Sequence, residues 1–176
     1  MAAAGILRGF RGGYQPRTKG RSMKHIYTIP IYRLSLVRDG QAEATAITCP
    51  DDIVLCLTDI ATADREHVVC LYLDCKNKPI GKHVISIGNL NASLIHPREV
   101  FKGALLANAH SIILAHNHPS GDVTPSRDDT KITQRIARAG ALLGVALLDH
   151  VILSPDGTFY SYQNERPGDL KEGTDT

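Results

Sequence analysis

Short apolar runs alternate with amphipathic stretches along the central part of this chain. Aliphatic runs bounded by turn-forming residues predict strands at residues 68–73, 83–88, 111–115, 147–153 and 158–162. Apolar residues at helical spacing predict helices at 50–61, 97–109 and 127–143. Such interspersed helices and strands predict an α/β fold, with a mixed β-sheet and helices on both faces. These elements place a domain at 50–163, and the polar residues 164–176 predict a flexible tail.

The N-terminal part of the chain has a weaker pattern. Residues 1–24 are rich in Gly and Arg, and they predict a disordered arm. Residues 25–49 alternate loosely, which predicts N-terminal strands at 26–36 and 44–48 paired as a hairpin. Translation could instead begin at Met23, in which case the arm is an upstream extension without function.

Composition and charge narrow the classes of function. The 176 residues are 43% hydrophobic and 5% aromatic, which suits an α/β protein, and no apolar run approaches the ~18 residues of a membrane span. Residues 1–24 hold six Lys and Arg and no acidic residue, whereas the other 152 residues carry a net charge of −4. The body is therefore not a basic platform for nucleic acid. Only the arm could make weak, salt-sensitive contact with DNA.

The cysteines and the N-terminus indicate a cellular compartment. The four cysteines form no C-x-x-C pair, and they predict buried free thiols in a reducing cytoplasm. A structural zinc held by Cys70 and Cys75 is the alternative. Arg8 and Arg11 interrupt any hydrophobic core of a secretory signal, so a cytoplasmic protein is expected.

One stretch, from 111 to 129, carries candidate chemistry. His116 and His118 lie at the end of the apolar run that predicts the strand at 111–115. Residues two apart on a strand point to one face, with Cα atoms about 6.6 Å apart, so both imidazoles can face one point. Turn-forming residues follow, and Asp129 lies in the first turn of the next predicted helix. Three such ligands with one open position are typical of a catalytic zinc site.

Simpler interpretations of the same residues stay open. Ser126 and Asp129 also have the spacing of a helix capping box. Asp122 and Asp128 are rival carboxylates by type, and Asp122 is expected to be a turn residue. His150 could support the site from a neighbouring strand, or it could be an ordinary packed histidine.

The pattern His116-x-His118-x7-Ser126-x-x-Asp129 resembles the signature of JAB/MPN metalloproteases. The segment 91–101 and Leu148-Asp-His resemble the RadC branch of that family, over about residues 50–163. The resemblance implies a cytidine-deaminase-like α/β/α sandwich, zinc bound by the two histidines and Asp129, and a Ser126 hydroxyl that stabilises the substrate oxygen.

The resemblance also implies an upstream glutamate that accepts a proton from the attacking water. Glu66 directly precedes the apolar run at 68–73, as the family pattern requires. Glu99 is the rival, although an acidic residue after Pro97 is expected at a helix start for dipole reasons alone. With either base, the chemistry is hydrolysis of amide or isopeptide bonds in an unknown protein or peptide substrate.

The chain departs from RadC proteins in one respect. Residues 1–49 contain no pair of helical patterns around a Gly hairpin, so the N-terminal helix-hairpin-helix module that RadC proteins usually carry is not expected here, which weakens any role in DNA repair. The alternative function is a nucleic-acid-associated DNA-repair accessory protein, or an accessory protein of a bacterial mobile element, that uses the same metal domain. A purely structural scaffold is disfavoured because every expected ligand is present.

Overall fold

The computed structural model describes residues 36–37, 40, 45–88 and 95–171, all of which belong to one compact unit spanning 34–176. The predicted arm, Met23 and most of the predicted strand at 26–36 lie outside the described residues. The predicted strand at 44–48 is wrong for residues 45–48, which form no strand. The backbone amides of Thr48 and Cys49 instead donate to the Asp52 carboxylate, so this segment leads into a helix.

A mixed sheet forms the centre of the domain. Its strands are β1 (His67–Leu73), β2 (Pro79–Ile87), β3 (Ser111–Asn117), β4 (Ala146–Leu153) and β5 (Phe159–Ser161). Their order is β2-β1-β3-β4-β5, and only β3 and β4 are parallel. β2 begins at Pro79, four residues earlier than predicted. Proline has no backbone N–H to donate, and this is tolerated here because β2 lies at one end of the described sheet.

Helices cover both faces of this sheet, which confirms the predicted fold class. They are α1 (Pro50–Cys56), α2 (Thr58–Ala61), α3 (Pro97–Leu106), α4 (Arg127–Leu143) and α5 (Tyr162–Glu165), followed by a 3-10 helix (Pro167–Leu170). Alternate residues of β1 and β3 face opposite sides. One side packs against α3 and α4, and the other packs against α1 and α2.

Helix ends show where local signals are strong. α4 begins and ends as predicted, because Ser126 caps its start and Gly144 adopts φ 70° at its end. The helix predicted at 50–61 is divided at the buried Leu57, whose φ of −127° is not helical. α3 ends at Leu106 rather than at 109. The helices of the described segments are all too short or too polar to cross a membrane.

The described part of the predicted tail is ordered. Short helices occupy residues 162–165 and 167–170, and the Asp169 carboxylate accepts a hydrogen bond of 2.7 Å from Gln134 of α4. The cysteine prediction is correct on free thiols but wrong on burial. All four thiols are free, and only Cys70 is buried.

The close contact at Gly140 makes one stability prediction. A Cβ at this position of α4 would collide with the carbonyl oxygen of Val145 and lie 3.1 Å from the Phe101 ring. Gly140→Ala is therefore expected to lower the free energy of unfolding by about 1–3 kcal/mol in urea denaturation. Gly168→Ala, where a Cβ meets open space, is the matched control. An equal loss in both variants would refute the steric explanation.

Candidate metal centre

The end of β3 and the start of α4 bring three ligand-type side chains together. His116 is the penultimate residue of β3, and His118 directly follows the strand. The backbone N–H of His118 donates to the carbonyl oxygen of Leu153 at 2.8 Å. The chain then turns through Gly121, at φ 85°, and returns as α4. Asp129, at the third position of α4, therefore faces the two histidines.

The ligand atoms lie within 4.8 Å of one another. The Nε2 atoms of His116 and His118 are 3.0 Å apart, and the Asp129 carboxylate oxygens lie 3.5 Å and 3.9 Å from them. His116 and Asp129 are buried, while the His118 side chain is 15% exposed. This is the only such group of His, Cys, Asp and Glu found among the described residues, so no cysteine site accompanies it there.

The donor set fits a tetrahedral divalent metal. Zn–N bonds of about 2.05 Å at a tetrahedral angle place two imidazole nitrogens about 3.3 Å apart, close to the observed separation. The Nδ1 of His118 lies 2.5 Å from the carbonyl of Asp122, which can only accept, so Nδ1 holds the proton and Nε2 offers a lone pair. Burial lowers the pKa of His116 to about 4, so His116 is also neutral at pH 7, as a metal ligand must be.

Ser126 has two structural roles in this centre. Its hydroxyl accepts from the backbone N–H of Asp129 at 3.1 Å, and its own backbone N–H donates to Asp129 Oδ2 at 2.7 Å. This is the reciprocal capping box that the sequence left open. The second bond occupies Oδ2, so Oδ1 is directed towards His116. The cap and the ligand are therefore compatible roles of one motif.

Glu66 lines one open cleft together with two of the three ligands, His118 and Asp129. The antiparallel register pairs Val68 with His116, and continuing that register by two residues places Glu66 opposite His118. Glu66, His118, Ser126 and Asp129 all line a cleft of about 420 Å³. Glu66 is half-buried there. The structure therefore brings the sequence-predicted base and ligands to the same space.

The rival carboxylates take other positions. Glu99 lies on α3, where it pairs with Lys102 at 2.5 Å, and it does not line the cleft. Asp122 and Asp128 do line it, but neither belongs to the ligand group. Asp122 accepts from the backbone N–H of Thr124 at 2.9 Å, as expected of a turn residue.

Asn117 is a site residue that sequence reasoning missed. It lies between the two histidines, so its side chain points to the opposite face of the sheet. There it is fully buried, accepts from the His67 backbone N–H at 2.7 Å and donates to the carbonyls of Ala63 and Arg65 at 3.2 and 3.0 Å. The hydrogen bonds of Asn117 thus hold the segment that contains Glu66 against the strand that contains His116. Only the strand pairing reveals this contact.

This role of Asn117 can be tested by an isosteric change. Asn117→Asp replaces the amide donor with an acceptor that faces two carbonyls, so a loss of about 1–3 kcal/mol in the free energy of unfolding is expected. Urea denaturation measures it, and the exposed Asn164→Asp is the control, expected within about 0.5 kcal/mol of the parent. Equal stability of the two variants would contradict the fastening role.

Comparison with known proteins identifies the family. Residues 47–167 match the family described as the RadC-like JAB domain. The chain belongs to this family. Among curated relatives of this RadC-like JAB domain, the UPF0758 protein TTE0897 of Caldanaerobacter subterraneus is 48% identical over 119 residues, which are 67% of this chain and 51% of that protein. A UPF0758 protein of Listeria monocytogenes is 47% identical over 122 residues, 69% of this chain and 54% of that protein.

The UPF0758 protein of Methanococcoides burtonii is 52% identical over 101 residues, 57% of this chain and 44% of that protein. The chain therefore spans about half the length of the curated relatives it matches. The predicted RadC resemblance is confirmed.

Proposed function

We propose that this RadC-like JAB domain is a zinc-dependent hydrolase of the JAMM type, which cleaves amide or isopeptide bonds in a protein or peptide. The observation that carries this proposal is the convergence of two imidazoles and one carboxylate on a point beside an open cleft that Glu66 also lines. Three protein ligands leave one coordination position for water or substrate, as in catalytic zinc sites.

Each residue has a distinct part in this chemistry. A bound zinc lowers the pKa of water to about 7 and polarises a carbonyl oxygen. Glu66 accepts the proton of the attacking water and delivers it to the leaving amine. Ser126, whose oxygen already accepts from the Asp129 backbone, keeps its hydroxyl proton available to donate to the developing oxyanion.

Metal analysis combined with a hydrolysis screen tests the proposal. The zinc-reconstituted protein is expected to hold about one zinc per chain and to cleave fluorogenic peptide amides or ε-linked lysine isopeptides. His118→Ala removes a ligand and is expected to abolish both properties. His110→Ala, an exposed histidine just before the other end of β3, is the control that keeps both.

The outcomes separate the parts of the proposal. Absence of zinc in the reconstituted protein would refute the metal centre. Zinc that is retained equally in His118→Ala and His110→Ala would point to adventitious binding. The nucleic-acid alternative rests on the charge of residues 1–24 alone, which lie outside the described residues.

A further inference from the structure

His150 is a buried histidine that lies directly behind the metal centre. Its Nε2 is 2.9 Å from Nδ1 of His116, and its Nδ1 is 2.6 Å from the hydroxyl oxygen of Thr133 on α4. That hydroxyl also lies 2.7 Å from the backbone carbonyl oxygen of Asp129. A continuous chain of contacts thus leads from one proposed ligand to the backbone of another.

The direction of each hydrogen bond in this series of contacts follows from the Asp129 carbonyl, which is its last member. The Asp129 carbonyl can only accept, so the single Thr133 hydroxyl proton is donated to it. The Thr133 oxygen must then accept from Nδ1–H of His150. A neutral imidazole has a single N–H, so with that proton on Nδ1 the lone pair of the ring lies on Nε2 and faces His116. His116 therefore donates its Nδ1–H to His150.

We propose that His150 and Thr133 are positioning residues of the metal centre, which hold His116 as the tautomer whose Nε2 lone pair faces His118 and Asp129. This inference rests on the proposed zinc function. The Nε2 atoms of His116 and His118 are then two acceptors 3.0 Å apart, which repel each other unless a cation lies between them. The hydrogen bonds through His150 and Thr133 therefore prepare the centre for a metal. They also link β3, β4 and α4 without the metal.

The surroundings of His150 fix its ring plane. The Tyr162 ring is stacked on it, with centroids 5.3 Å apart and an interplanar angle of 8°. Asp149 holds Tyr162 in place, because its carboxylate accepts from Ser161 Oγ at 2.6 Å and from the Gln163 backbone N–H at 2.9 Å. The neighbouring aspartate therefore orients the residue that supports His150.

Zinc affinity of the full chain, measured by competition with a chromophoric chelator, tests the inference. Thr133→Val removes the hydroxyl at nearly constant shape and is expected to weaken zinc binding about 10–100-fold. Thr133→Ser restores the hydroxyl and is expected to bind like the parent. Thr62→Val is the matched control, since the Thr62 hydroxyl makes the same kind of bond, to the backbone carbonyl of Thr58 at 3.2 Å, away from the metal centre.

A second readout needs no metal. Long-range ¹H–¹⁵N spectra of the metal-free protein report which imidazole nitrogens carry protons, and both His116 and His150 are expected as Nδ1–H. In Thr133→Val nothing accepts from Nδ1 of His150, so a shift of His116 towards the Nε2–H tautomer is expected. His150→Phe should weaken zinc binding at least as much, and adding Thr133→Val to it should cost nothing further.

The inference and the proposed function can fail separately. Equal zinc affinity of Thr133→Val and Thr62→Val, or an Nε2–H proton on His116 in the parent, would overturn the positioning role. A parent protein with the expected tautomers and tight zinc binding that hydrolyses no substrate would count against the hydrolase and leave the positioning role standing.

Discussion

Glu66→Gln is expected to lower the rate of hydrolysis by about 10²–10⁴-fold while one zinc per chain is retained. The amide of Gln matches the carboxylate in size but cannot accept a proton from water at neutral pH. Glu66 lies opposite His118 in the strand register, whereas the ligands His116, His118 and Asp129 come from other segments, so the metal should stay bound. Turnover and zinc content, measured on the same samples, check both halves of this expectation.

Glu99→Gln is the matched control for this experiment. It makes the same chemical change on an exposed face of α3, at a residue paired with Lys102, and it is expected to leave turnover unchanged. If Glu99→Gln lost activity and Glu66→Gln kept it, the base would have been assigned to the wrong glutamate. If Glu66→Gln also lost zinc, its effect would be one on metal binding and not on proton transfer.

The fold was predictable where local signals are strong. The buried run of β3 from 112 to 115 is entirely apolar, and α4 has both a capping box and a glycine at its end. Local signals failed at Leu57, whose burial against the sheet outweighs continuation of the helix, and at Pro79, which is tolerated because β2 is outermost in the described sheet. Tertiary packing decides both cases.

The candidate site divides in the same way. His116, His118 and Asp129 lie within 14 residues of each other, so strand and helix periodicity alone could bring them together. Asn117 contacts segments about 50 residues away, and His150 contacts His116 across 34 residues. Those contacts depend on the pairing of β3 with β1 and β4, which the sequence of one chain does not specify.

Lowering the pH from 7.5 to 5 is expected to cost the metal-free protein about 2 kcal/mol of its free energy of unfolding through His116, with a further loss of the same sign through His150. Burial lowers the pKa of His116 from 6.5 to about 4, and burial also holds the pKa of His150 well below 6.5. Below pH 6.5 the unfolded chain binds a proton on each imidazole that the folded chain does not bind. Stability is therefore full above pH 6.5 and falls with pH, at a slope approaching about 1.4 kcal/mol per pH unit for each histidine.

Urea denaturation in the presence of a chelator, at a series of pH values, measures this slope. His150→Phe removes one of the two buried imidazoles, so its slope between pH 6.5 and 5 should be shallower than that of the parent. A parent protein of constant stability from pH 7.5 to 5 would mean that both rings already bind protons in the folded state, which contradicts their burial. With zinc bound, protons also compete with the metal for the ligand nitrogens, so the loss of stability should be steeper than in the metal-free protein.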